Sequence, residues 1–189
     1  KITIESISNE SISSFKVKRK LFSPILKRVL QIKNIDPNIQ GYIFTLLSYA
    51  CLYNEIEIVQ LLLGTETIDV NSYLFKERNT PLMISISNDH NEISELLIKD
   101  KRTDINAINQ STKLTVLTLA VKKNQENIVS LLINDERFDP IKSRINYAFL
   151  ISTGFISNIL LSTKSIDINY KYSSLSFDKN DPLNTNNKY

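Results

Sequence analysis

His90 and Cys51 are the chain's single histidine and single cysteine. Both residue types ligate metals and serve in catalysis, but each needs partners. A structural zinc site takes about four such ligands, so one of each rules out a zinc cluster. Cys51 follows Ala50 in an apolar stretch, which suits a small buried side chain better than a nucleophile. Gly41, Gly64 and Gly154 are the only glycines, and none stands in a phosphate-cradling pattern. Glu55 and Glu57 flank an expected helix start, where acids complement the helix dipole, so they need not be an acid–base pair. No catalytic residue, cofactor site or metal site is expected, and the chain reads as a non-enzyme. The remaining charge feature is "KVKRK", with Lys16, Lys18, Arg19 and Lys20. Two roles are open to it: a patch for an acidic partner, or a solvated lead-in. Only Phe15 and Phe22 accompany these cations, which argues against base stacking and hence against nucleic acid.

The elements that must position any site emerge when the chain is compared with itself. "IVQLLL" starts at Ile58, "ISELLI" at Ile93 and "IVSLLI" at Ile128, two steps of 35 residues. A fourth copy, "ISNILL", starts at Ile156 after a step of 28. Asp69, Asp104, Asp139 and Asp167 each follow the first Ile of their run by 11 residues. Thr45, Thr80 and Thr115 keep the same 35-residue step ahead of an earlier apolar run. Each threonine is a good helix N-cap, and Pro81 suits a first helical turn. Ala50, Ser85 and Ala120 recur at one place, where a small side chain lets a second helix pack closely. Asn54, Asp89 and Asn124 then stand at a break that calls for a left-handed backbone. A second helix with Ile93, Leu96 and Leu97 at helical spacing follows, and a short "DIN" closes the unit.

"TPLMIS" and "DIN" resemble the T-P-L-H-x-A and D-V-N of the ankyrin repeat. The resemblance implies an all-α solenoid of stacked antiparallel helix pairs with protruding loop fingers. Its period here is 35 residues, against about 33 in the family. Expected boundaries are a basic lead-in or cap over 1–23, the repeat array over 24–170, and a polar tail or cut-off further repeat over 171–189. Between Asp139 and Ser143 too few residues remain for a full finger, so the finger row should end there while the helix pair beyond it stacks normally. His90 falls where the family often carries a histidine. Its counterparts Glu55, Gln125 and Thr153 are all polar. A surface or turn-bracing role follows, with His90→Ala expected to be nearly neutral.

The resemblance also implies protein binding, by a scaffold, adaptor or structural component, on a concave face lined by first helices and fingers. By position that face holds Tyr42, Phe44, Tyr53, Tyr73, Phe75, Lys76, Asn88, Lys122 and Lys123. Exposed tyrosines there would be binding hot spots, whereas folded under the fingers they would cover the core. Alternative functions are a filament- or microtubule-associated protein using the basic segment, or the regulatory segment of a larger enzyme. The chain has 189 residues, 42% hydrophobic and 23% charged, with a net charge of +3. Those values suit a water-soluble array, no run is long enough to span a membrane, and the start has no secretory-signal order. The lone cysteine excludes an internal disulfide and fits a cytoplasmic protein.

Overall fold

A computed structural model describes residues 45–73, 78–163 and 165–166. Among these residues lie eight helices: α1 Leu46–Leu52, α2 Ile56–Leu63, α3 Pro81–Ser87, α4 Asn91–Lys99, α5 Val116–Lys122, α6 Glu126–Asn134, α7 Ile145–Ile151 and α8 Phe155–Leu161. The first helices α1, α3, α5 and α7 pack side by side in one layer. The second helices α2, α4, α6 and α8 form the other, and each pair packs across the two layers. Leu47, Ile58, Leu82, Ile93, Leu97, Leu117, Ile128 and Leu132 fill the space between them and are buried. This is the expected all-α repeat solenoid.

Each local signal has its physical counterpart. Thr45, Thr80 and Thr115 cap their helices by accepting the N–H of Ser48, Met83 and Thr118 at 3.2, 3.3 and 3.1 Å. Asn54, Asp89 and Asn124 turn the chain between helices with φ of 58, 59 and 54°. Ala50, Ser85 and Ala120 have no solvent exposure and sit where paired helices approach. The fourth pair departs at its turn. Ser152 is extended there, and Gly154 supplies the positive φ of 56° instead.

Two sets of side chains tie the first three described units through their loops. The Asn71 amide donates to the Arg102 carbonyl at 2.8 Å and accepts the Asp104 N–H at 2.8 Å. One unit on, Asn106 does the same to the Arg137 carbonyl at 2.7 Å and the Asp139 N–H at 2.9 Å. Asp69 and Asp104 hold these asparagines in place by accepting their N–H groups, both at 3.0 Å. The "D-x-N" signature is therefore a turn plus a clasp on the next unit. Arg102 forks onto Asp100 and reaches back to the carbonyls of Leu63 and Thr65 at 2.6 and 2.8 Å. Arg137 forks onto Asp135 and reaches the carbonyls of Ile98 and Thr103 at 2.6 and 2.9 Å. Both guanidiniums thus cap the carbonyl end of the preceding second helix.

The finger between α4 and α5 is a short hairpin, with the Asn109 N–H on the Leu114 carbonyl and an antiparallel bridge from Ile108 to Thr115. Its equivalent before α7 is a compact turn, closed by Ser143 N–H to the Asp139 carbonyl at 2.9 Å and Ile145 N–H to the Pro140 carbonyl at 3.0 Å. The α7–α8 pair stacks on α5–α6 all the same. The shortened finger is thus accommodated without loss of the stack.

Leu97 is fully buried, so Leu97→Ala should lower stability by about 2–5 kcal/mol. A urea titration checks this, and a change below about half a kcal/mol would misplace the α4 packing face.

The Arg137 guanidinium donates to the Asp135 carboxylate and holds its pKa at about 2, below the usual 3.8, with burial opposing. The folded value lies below the unfolded one. The stabilisation is therefore full above about pH 4 and fades as pH falls towards 2. Acid titration of stability over that window should be shallower for Asp135→Asn than for the parent chain. Equal slopes would remove the ion pair from the argument.

Candidate protein-binding surface

Each first helix packs on its second helix and runs from the finger at its threonine cap to the turn that leads into the second helix. Tyr53, Asn88 and Lys123 cap the C-termini of α1, α3 and α5 and occupy one repeat position 35 residues apart. Tyr53 is half-buried and packs on Tyr49 with ring centroids 4.6 Å apart and planes tilted by 49°. Tyr73 is 56% exposed and so stands on the surface. Asn88 is exposed, with its amide donating to the Ile84 carbonyl at 2.8 Å. Lys122, the last residue of α5, is exposed.

Lys123 is the residue whose setting differs most from expectation. Its ammonium pairs with Asp89 at 3.0 Å, and Gln125 donates to the same carboxylate at 2.8 Å. The Lys123 ammonium, followed by the Gln125 amide, lowers the Asp89 pKa. An exposed pair of this kind contributes little to stability and exchanges readily. Tyr42, Phe44, Phe75, Lys76 and the basic residues Lys16, Lys18, Arg19 and Lys20 lie outside the described residues.

Two features of this surface were not read from the sequence. Tyr49 joins Tyr53 in an aromatic pair, for which the four-residue spacing on a helix was the available signal. Arg78, Lys113 and Arg144 adopt φ of 51, 59 and 52° on the approach to α3, α5 and α7. Arg78 and Lys113 stand 35 residues apart, each two before its threonine cap, whereas Arg144 directly precedes α7, and a cation is an unusual choice for a left-handed backbone.

His90 and Cys51 also find their places. Cys51 is fully buried in α1, and that burial pushes its thiol pKa up. His90 lies within 2.8 Å, through Nδ1, of the Cys51 carbonyl. Gln125, one repeat on, donates to the equivalent carbonyl of Ile86 at 2.9 Å. The histidine is a brace between units. Among the described residues no group of three or more His, Cys, Asp or Glu is placed to hold a metal ion.

Stacked helix pairs with outward fingers define the class of repeat proteins that bind along a continuous face. A family profile of ankyrin repeats, in 3 copies, matches residues 17–109 and 47–144. The chain belongs to the ankyrin-repeat family, whose repeats are generally protein–protein interaction modules. No curated protein matches the chain. Among the described residues no helix is long and apolar enough to cross a membrane.

The bond from His90 fits the turn-bracing role and gives its removal an expected cost. His90→Ala should cost about 0.5–1.5 kcal/mol, and His90→Gln should recover most of it, because glutamine makes the equivalent bond at position 125. Urea midpoints of the three chains decide the point. Equal loss in both variants would deny the brace.

Proposed function

We propose that the chain is a non-catalytic docking module, a scaffold, adaptor or structural component, whose finger and first-helix face binds a partner protein. One observation carries this reading. At two successive junctions the same supports recur, Asn71 with Asn106 and Arg102 with Arg137, whereas Tyr53, Asn88 and Lys123 share one position and differ in chemistry. A scaffold position that is free to change while its supports stay fixed is what a recognition surface requires. Tyr53 and Tyr73 are its anchors, since tyrosine gives large contact area at low entropic cost.

A binding scan tests the proposal, using peptides selected on the immobilised chain from a random display library. Tyr53→Ala and Tyr73→Ala should each weaken binding by about 2 kcal/mol, and Lys142→Ala on the shortened finger should leave it within about half a kcal/mol. The opposite ranking would displace the binding face.

A further inference from the structure

The two layers carry opposite charge. On the fingers and first helices stand six cations, Arg78, Lys113, Lys122, Lys123, Lys142 and Arg144, against four acids among the described residues, Asp69, Asp89, Asp104 and Asp139, of which Asp89 pairs with Lys123 and Asp139 with Lys142. The second helices open on Glu57, Glu92 and Glu126, and most of the cations on that layer are tied to acids there: Arg102 to Asp100, Arg137 to Asp135, Lys99 to Glu95 and Lys101 to Glu136. Lys113 and Lys122 are exposed, and among the described residues neither forms an ion pair. Arg144 stands beside Lys113, donating to its carbonyl at 3.1 Å. Arg78, Lys113 and Arg144 also occupy left-handed positions that glycine or asparagine would adopt more readily, so the fingers carry cations where the backbone alone would not select them.

Along the stack the chemistry changes in one direction. The apolar pair Tyr49–Tyr53 lies on α1, and the cations gather on and around α5. Neighbouring helices in a layer are spaced about 10 Å apart, so Tyr53 and Lys122 are separated by about 20 Å. An extended peptide covers that span in about six residues.

Resting on the protein-binding reading above, we propose that this face receives an acidic segment of a partner protein, its carboxylates on Lys113 and Lys122 and an apolar side chain against the Tyr49–Tyr53 pair. A peptide suits this layout better than a nucleic acid. Bases would need aromatic side chains interleaved with the cations, and here the two groups are at opposite ends.

The test uses synthetic peptides of about twelve residues, long enough to cover the span. One carries a Glu-Asp run at one end and Phe-Leu at the other, a second has that order reversed, and a third has lysine for each acid. Fluorescence anisotropy with the full chain should show one of the acidic peptides binding and the lysine peptide failing to bind. Lys113→Glu with Lys122→Glu should weaken the acidic peptide at least about tenfold at low salt, and raised salt should do the same. Tyr53→Ala should weaken it several-fold at every salt concentration. Circular dichroism melts confirm that both variants fold. Equal binding of acidic and lysine peptides, still lost on Tyr53→Ala, would overturn the acidic inference and leave the docking face standing. Binding indifferent to every one of these substitutions would overturn both. Tighter binding of duplex DNA than of the acidic peptide, or of a second copy through its Glu-rich layer as seen by sedimentation, would likewise overturn the proposal.

Discussion

A side-chain amide clasping the backbone of the following unit is the constraint on which this stack depends. Apolar packing pulls the helix pairs together but is non-directional, so it fixes neither lateral register nor angle. The asparagine of each "D-x-N" supplies what packing lacks. It presents a donor and an acceptor to a carbonyl and an N–H two residues apart on the next loop, at Asn71 and again at Asn106. The same four atoms meet at both junctions with distances that agree within about 0.1 Å, well inside ordinary hydrogen-bond scatter. Arg102 and Arg137 add a second tie at the helix ends, and His90 and Gln125 a third at the helix turns. Each tie pairs a side chain with main chain, so each depends on backbone position more than on the neighbour's side chains.

The ties are divided between the two layers. The clasps and arginine forks lie on the loops that follow the second helices. The C-termini of the first helices carry the bonds from His90 to the Cys51 carbonyl and from Gln125 to the Ile86 carbonyl. Tyr53, Asn88 and Lys123 stand beside those bonds and differ from unit to unit. The braces would give the proposed docking face a constant spacing, with the residue at each step setting its chemistry.

How much of this was legible in the sequence depends on the kind of bond. Threonine caps, small contact residues and left-handed Asn and Asp were readable, because each is a local requirement met by few residue types. The shortened finger was readable by counting from Asp139 to Ala148. The braces were harder. His90 and Gln125 make the same bond with different side chains, because a backbone carbonyl asks only for a donor. Their sequence signature is merely "polar". Asp100 with Arg102, and Asp135 with Arg137, look like ordinary surface charges until the fold brings a helix end within reach of each guanidinium. Arg78, Lys113 and Arg144 were missed for the reverse reason: the backbone conformation they adopt is one their side chains do not favour.

The braces are also unevenly distributed, and that has a consequence for stability along the array. At the α7–α8 pair, Ile141 stands where Asn71 and Asn106 stand, and Thr153 is exposed where His90 and Gln125 reach back. The polar ties of this pair among the described residues gather at the start of α7. There Thr115 donates to the Ser143 carbonyl at 2.9 Å, Ser143 donates to the Asn106 side chain at 2.7 Å, and Arg144 reaches Lys113. At its other end the pair is held by apolar contacts such as Ala148, Ile156 and Leu160, all buried. Its surface is also less polar. Phe155 is 63% exposed at the position where the preceding second helices carry Glu57, Glu92 and Asn127. In a quasi-one-dimensional array, stability is a sum of unit and junction contributions. A junction with fewer directional bonds is then the one that opens at the lowest free energy. The α5–α7 junction is that place among the described units. Tyr53 and Tyr73 lie at the other end of the described units, where clasp, arginine fork and histidine bond are all present.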